Sequence, residues 1–140
     1  MSRHGYIDDI DNWQLIMWRG RVTSAIRGKR GQKLLKELRD ALDAMPDKRL
    51  VAGELQTKEG DVCALGCVGV ARGYDLTELD PEQDNDVLAN KLDIAECLVR
   101  EIEYENDDFA CYPHTADDDK KRWKHMREWV ESNIVKVPNA

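Results

Sequence analysis

The sequence predicts a mainly α-helical (α+β) fold, a helical bundle of about five helices with a small β-hairpin near residues 50–66. Apolar residues recur at helical spacing in several segments, and glycine, proline or capping residues bound these segments. The chain has 140 residues, of which 41% are apolar. This length is enough for one domain with a hydrophobic core and too short for two stable domains. We therefore predict an N-terminal arm, residues 1–10, and a single helical domain, residues 11–140.

The helix predicted over residues 31–45 is the clearest element, and the other elements are expected to pack on it. Charged residues occupy one of its faces, and Pro46 ends it because proline lacks an N–H and clashes with the preceding turn. The opposite face is apolar: Leu34, Leu35, Leu38, Ala41, Leu42 and Met45. A helix with one apolar face must bury it, so this stripe predicts the centre of the core.

A first helix is predicted to run from Asp11 or Asn12, either of which can cap it, to about Arg27. Its apolar stripe consists of Leu15, Trp18, Val22, Ala25 and Ile26. The sequence Gly-Lys-Arg-Gly at residues 28–31 predicts a tight connection, so the first two helices are expected to form an antiparallel hairpin.

Residues 50–57 and 62–65 are short apolar runs that predict the two strands of the β-hairpin, with Gly60 as a turn residue of positive φ. The second run could instead become a helix that starts after Asp61 and ends at Gly73. We favour a short strand pair followed by a short helix.

Two helices are predicted over residues 82–92 and 94–105. Their apolar residues have the spacing of a helix-turn-helix, with Ala89 where the helices cross and Asp93 in the turn. Acidic residues occupy the outer positions of the second helix, and carboxylates repel phosphates. A DNA-reading role is therefore not predicted for this pair.

The last helix is predicted to begin at a Thr115 cap, with acidic residues in its first turn, where the helix dipole favours negative charge. Pro138 marks its end. Its apolar stripe is expected to pack on the bundle and consists of Trp123, Met126, Val130, Ile134 and Val137.

The net charge of −7 conceals an asymmetric distribution along the chain. Residues 19–39 contain eight Lys or Arg and one acidic residue, whereas residues 75–119 contain sixteen Asp or Glu and two basic residues. The two regions either form solvated faces, or provide a basic site for an anionic partner and an acidic site for a basic one. The predicted partner-binding residues are Arg19, Arg21, Arg27, Lys29, Arg30, Glu96, Glu101, Glu103 and Glu105.

Four residues could complete a tetrahedral zinc site: Cys63, Cys67, Cys111 and His114. The first two, however, lie in an apolar run, where a free cysteine usually packs as a small hydrophobe. No P-loop, dinucleotide, metalloprotease or nucleophile-elbow motif is present in the sequence. We therefore predict no metal, no cofactor, no catalytic residue and no enzymatic activity.

Residues 19–50, 62–66, 101–108 and 122–130 resemble a group of small uncharacterised proteins of tailed phages and prophages, and the resemblance covers most of the chain. The resemblance itself implies no particular activity. Together with the absence of a catalytic motif and the asymmetric charge, it predicts a phage-encoded accessory protein that binds a host macromolecular complex, in host takeover or anti-defence. Three alternatives remain open: a nucleic-acid-binding protein that uses the basic hairpin of residues 19–39, an acidic DNA-mimic inhibitor, and a small virion component. No apolar run approaches the roughly 20 residues of a membrane span, so no membrane partner and a location in the host cytoplasm are expected.

Overall fold

The computed structural model describes residues 12–107 and 116–136, in which six helices pack around one hydrophobic core. The helices are α1 (Asn12–Arg27), α2 (Lys29–Ala44), α3 (Ala64–Ala71), α4 (Asn85–Leu92), α5 (Glu96–Asp107) and α6 (Ala116–Asn133). Helix α2 packs against α1, α3 and α6, and α5 packs against α1, α3, α4 and α6. The predicted helical bundle is confirmed.

Helix α2 supplies the centre of the core, as its apolar stripe predicts. Its four leucines are fully buried: Leu34, Leu35, Leu38 and Leu42. The helix begins at Lys29, two residues earlier than predicted, because Gly28 already forms its extended N-cap. Gly31 therefore lies inside the helix, where a Cβ atom would be 1.9 Å from the carbonyl oxygen of Ala25. This glycine allows α1 and α2 to approach closely where they join.

The predicted β-hairpin near residues 50–66 is wrong. The described residues contain no strand, and this segment contains one isolated antiparallel bridge, between Gln56 and Val62. Gly60 does adopt the positive φ expected of the turn, 93°. The pairing stops at the bridge because Cys63 already caps α3, its Sγ atom accepting a hydrogen bond from the first turn of that helix. The short helix that the sequence predicts here is confirmed. Its cap and first turn contain most of the residues predicted for the second strand.

Helices α4 and α5 form the pair whose spacing resembles a helix-turn-helix. Ala89 is buried, and Asp93 takes the left-handed conformation in the turn, with φ 56° and ψ 52°. Helix α4 begins at Asn85, three residues later than predicted. The residues before it form a turn instead, in which the Asp84 carboxylate accepts a hydrogen bond from the Asp80 N–H at 2.8 Å.

A buried arginine joins α5 to α6, and the sequence does not predict it. The Arg122 side chain is fully buried, and its guanidinium donates to the carbonyl oxygens of Asn106 (2.7 Å) and Leu50 (3.1 Å). It also donates to the carboxylate of Asp119 at 2.9 Å. The Asn106 side chain in turn accepts a hydrogen bond from the Ala64 N–H at 3.0 Å. These residues, which we call the Arg122 junction, connect α3, α5 and α6.

Several predicted features lie outside the described residues: the N-terminal arm, the Asp11 cap, Cys111, His114, the Thr115 cap, Val137 and Pro138. The remainder of the stripe predicted for α6 faces the core. Met126 and Val130 are fully buried, and Trp123 and Ile134 are partly buried against the same cluster.

Candidate functional site

One glutamine fixes the junction of α1 and α2. The side-chain nitrogen of Gln32 donates to the carbonyl oxygens of Ile26 (2.7 Å) and Asn133 (3.0 Å). Its side-chain oxygen accepts a hydrogen bond from the Val135 N–H at 2.8 Å. Gln32 therefore connects the end of α1 to the end of α6 and holds the first turns of α2 in place beside them.

An open groove of about 490 Å³ lies beside this glutamine. Four cationic side chains line it together with Gln32 and Val135, and we call it the basic groove: Arg27, Lys29, Lys33 and Lys36. All four are exposed, and none forms an ion pair with a carboxylate in the part of the chain that the structure describes. Residues 12–36 contain seven Lys or Arg and no Asp or Glu, so acidic neighbours in the sequence do not offset the positive potential.

The basic groove brings together two of the five predicted basic residues, Arg27 and Lys29. Arg30 does not line it and instead pairs with Asp93, Nη1 to Oδ1 at 3.2 Å, at the turn between α4 and α5. Both side chains of this pair are more than half exposed, so the pair adds little stability. The other two predicted residues are exposed on α1: Arg19 and Arg21.

Lys33 and Lys36 also line the groove. Both lie in the basic hairpin of residues 19–39 that is predicted as an alternative nucleic-acid-binding surface, but neither is among the five basic residues predicted for partner binding. Residues three and four apart share one face of a helix, so Lys29, Lys33 and Lys36 form a single row on α2. That spacing is visible in the sequence and could have identified both lysines. The sequence does not show that these lysines converge with Arg27, since that depends on how α1 joins α2.

Helix α1 also has an exposed apolar face, which is not part of the stripe predicted for it. The exposed fractions are 69% for Trp13, 63% for Ile16 and 45% for Met17. Their spacing places the three side chains on one side of the helix, opposite the buried Val22 and Ile26. Helix α1 is therefore apolar on two faces, and only the inner one contributes to the core.

Two of the four acidic residues predicted on α5 are not surface residues. Glu101 is 8% exposed and Glu103 is 3% exposed, so the prediction that both lie on the surface is wrong. The reason is that α5 lies at the centre of four other helices, which the sequence pattern of α5 alone does not reveal. With its amide nitrogen turned inward, the buried Asn85 donates a hydrogen bond to Glu103 at 3.0 Å.

The other two acidic residues of α5 contact basic side chains within the chain. Glu96 pairs with Arg100 at 3.0 Å, and Glu105 lies 3.1 Å from the Nε2 atom of His125. Leu98, at one of the outer positions of the helix-turn-helix pattern, is fully buried. Helix α1 packs on α5, so α5 does not present a free face of the kind that reads a DNA groove.

The exposed acidic surface lies before and at the start of α4. Residues 74–90, which we call the acidic segment, contain six carboxylates and no Lys or Arg: Asp75, Glu78, Asp80, Glu82, Asp84 and Asp86. All but Asp84, which is partly buried, are exposed. Hydrogen bonds from the backbone N–H and hydroxyl of Thr77 hold the pKa of Asp75 below its usual range.

Two of the described cysteines, Cys63 and Cys67, are poor nucleophiles. Burial raises the pKa of the Cys63 thiol to about 12 and that of Cys67 to about 11. Both are therefore protonated at neutral pH, whereas the thiolate is the form that attacks substrates and binds metals. Across residues 12–107 and 116–136, no group of three or more His, Cys, Asp or Glu side chains could hold a metal ion.

Two further findings bear on function. No helix in the described part of the chain is long and apolar enough to cross a membrane. Comparisons with family models, with curated proteins and with solved structures give no match. Three surfaces of the molecule therefore indicate function: the basic groove, the outer face of α1 and the acidic segment.

Proposed function

We propose that the protein is a non-enzymatic accessory protein that binds nucleic acid within a host complex, and that the basic groove contacts the phosphate backbone. The observation that carries this proposal is the convergence of four cations on one groove without a carboxylate partner among the described residues. A phage-encoded protein could act in this way by occupying the nucleic acid on which the host complex works.

The groove suits a phosphate backbone because Lys and Arg side chains that neutralise phosphates release the counterions condensed on the nucleic acid. The release favours binding, most strongly at low salt. The groove offers little for reading bases, since both ends of the Gln32 amide already bond to the protein backbone. Because sequence is read mainly by hydrogen bonds to base edges, we expect binding with little sequence preference.

The net charge of −7 does not prevent such binding. At physiological ionic strength, exposed charges are screened beyond about 8 Å. A phosphate in the groove would therefore interact mainly with the four groove cations.

The proposal can be tested by titrating fluorescent duplex DNA and single-stranded RNA with the full chain over a series of salt concentrations. The test variant is Lys29→Glu with Lys33→Glu. Both side chains are exposed, so we expect the variant to fold normally. Binding should weaken by more than about tenfold, and the salt slope should fall by about 1 for each phosphate that the variant no longer neutralises.

The matched control is Lys120→Glu with Lys121→Glu, which changes the net charge equally at exposed positions of α6. It should bind nearly as well as the unmodified chain. An equal loss in both variants would show that overall charge, and not the groove, is responsible. If the unmodified chain bound neither probe at low salt, the proposed nucleic-acid binding would be wrong.

A further inference from the structure

The outer face of α1 is apolar and uncovered by any described residue, and the acidic segment has the chemistry that complements it. We propose that the α1 face around Trp13, Ile16 and Met17 docks on the acidic segment of a second copy of this chain, head to tail. The contact uses residues outside the basic groove, so it does not depend on the proposed nucleic-acid binding.

The α1 side of this contact combines apolar surface with positive charge. Trp13, Ile16 and Met17 expose about half or more of their side chains, and aromatic and Met side chains are enriched at protein interfaces. One turn further along the same face, a Cβ atom on Gly20 would have no heavy atom within 4 Å, which leaves room for an incoming side chain. At 100° per residue, Arg21 lies at the edge of this face, and helix α1 contains no carboxylate.

The acidic segment presents the opposite charge around apolar side chains of its own. Tyr74 and Val87 are each a little over one-third exposed, and the Nζ atom of Lys91 lies over the Tyr74 ring, 5.1 Å from its centroid. Between Tyr74 and Val87 the exposed carboxylates of Glu78 and Glu82 form no ion pair with a cation in the described chain. Such a surface can bury apolar side chains against α1 and place its carboxylates near the guanidinium groups of α1.

The two surfaces of one copy do not neutralise each other. The junction of α1 and α2 contacts the α4–α5 turn through the Arg30–Asp93 pair. Helix α4 has eight residues, so its N-terminal end, beside Glu82 and Asp84, is about 12 Å from that turn along the helix axis. Among the described residues, no carboxylate of the acidic segment forms an ion pair with α1. The chain therefore carries a basic apolar face and an acidic apolar face that remain available to separate molecules.

Charge also selects the orientation of the contact. A symmetric α1–α1 contact would bring arginines together with no carboxylate from either helix, and a symmetric contact of acidic segments would bring carboxylates together. Like charges placed across an interface are unfavourable. The head-to-tail arrangement pairs opposite charges, and because it uses two different patches it leaves one of each free on every dimer.

Sedimentation velocity over a range of protein concentrations, at low and high salt and without nucleic acid, tests this proposal. The full chain should form species larger than dimers as concentration rises, and less so at high salt. Two variants should each stay monomeric: Trp13→Ala with Arg21→Glu, which alters α1, and Glu78→Lys with Glu82→Lys, which alters the acidic segment. When the two variants are mixed, they should form dimers and nothing larger. One variant retains an intact acidic segment and the other an intact α1 face, so only one contact can form.

The matched control for the acidic variant is Glu54→Lys with Glu59→Lys, which makes the same charge change at exposed positions outside the segment. It should assemble like the unmodified chain. The proposal would be overturned by an unmodified chain that stays monomeric at every concentration, by assembly that stops at a dimer, or by a mixture of the two variants that stays monomeric. None of these results would affect the titration of DNA or RNA, so the two proposals fail separately.

Discussion

The Arg122 junction and the basic groove use the same cationic chemistry in opposite ways. The guanidinium of Arg122 is fully buried and donates to two backbone carbonyls and one carboxylate. The groove cations are exposed, and within the described chain they have no carboxylate partner. Burying an ionised group is costly unless it is paired and hydrogen-bonded, so the first arrangement serves folding. The second leaves its cations available to a partner.

The carboxylates divide in the same manner. Glu103 on α5 is buried and accepts a hydrogen bond from Asn85, while Glu78 and Glu82 in the acidic segment are exposed. A run of charged residues in the sequence therefore does not identify a charged surface. What decides the role of each charge is whether the fold supplies a partner for it.

The largest expected difference is between removing a buried and an exposed arginine. Arg122→Met should lower the free energy of unfolding by about 3–5 kcal/mol, since it leaves the carboxylate and carbonyl acceptors of the junction without their donor. Arg27→Met should change it by less than about 0.5 kcal/mol. Urea denaturation of both variants measures the contrast. Similar losses for the two would show that Arg122 is not the structural cation we take it to be.

The same contrast should hold for apolar side chains on the two helices of the hairpin. Leu38→Ala, in the buried stripe of α2, should cost about 2–5 kcal/mol, because it removes buried methyl groups and leaves a cavity. Trp13→Ala, on the exposed face of α1, should change stability by less than about 0.5 kcal/mol. Chemical denaturation again compares them, and a loss below about 0.5 kcal/mol for Leu38→Ala would mean that the stripe is not core.

A smaller effect separates two helical glycines. At Gly66 a Cβ atom would lie 1.8 Å from the carbonyl oxygen of Leu55, so Gly66→Ala must push α3 away and should cost about 1–3 kcal/mol. At Gly20 nothing lies within 4 Å, so Gly20→Ala should stabilise α1 by about 0.5–1 kcal/mol. Thermal unfolding of the two variants should therefore shift in opposite directions. A stabilised Gly66→Ala variant would contradict the close packing of α3 on this loop.

Much of the fold follows from helical periodicity, because each apolar stripe faces a core that all the helices share. The stripe of α2 and the turn at Asp93 are where the sequence places them. The β-hairpin fails because residues 50–57 and 62–65 have strand composition but too few residues before the cap of α3. Composition indicates what a segment prefers, and the position of the next element decides whether it can form.

The candidate site is less predictable because it depends on contacts between distant segments. In the sequence, Arg122 is one more charged residue in a polar helix, yet its partners come from three different parts of the chain. The burial of Glu101 likewise reflects helices on several sides of α5. The charge pattern places all four groove cations within the basic hairpin of residues 19–39, but it does not select these four, since their convergence depends on how α1 joins α2.

The smallest effect concerns a surface carboxylate that has a partner. Arg127 donates to Asp43 at 2.8 Å and 3.1 Å, and this hydrogen bonding holds the pKa of Asp43 below its ordinary value of 3.8. Because the folded-state pKa is the lower one, the pair stabilises the folded protein above about pH 4, and the stabilisation is lost as pH falls through the folded value. The Asp43 side chain is about half exposed, so solvent screening limits the effect to within about 1 kcal/mol.

Asp43→Asn should therefore destabilise the protein slightly at neutral pH and make no difference in acid, where the carboxylate of the unmodified chain is protonated. Glu78→Gln is the matched change in the acidic segment, where no cation of the described chain pairs with the carboxylate. It should leave stability at neutral pH unchanged or slightly higher, because it relieves repulsion from neighbouring carboxylates. Urea denaturation at neutral and acidic pH measures both. If the two variants lost the same stability at neutral pH, the presence of a partner would not be what distinguishes these charges.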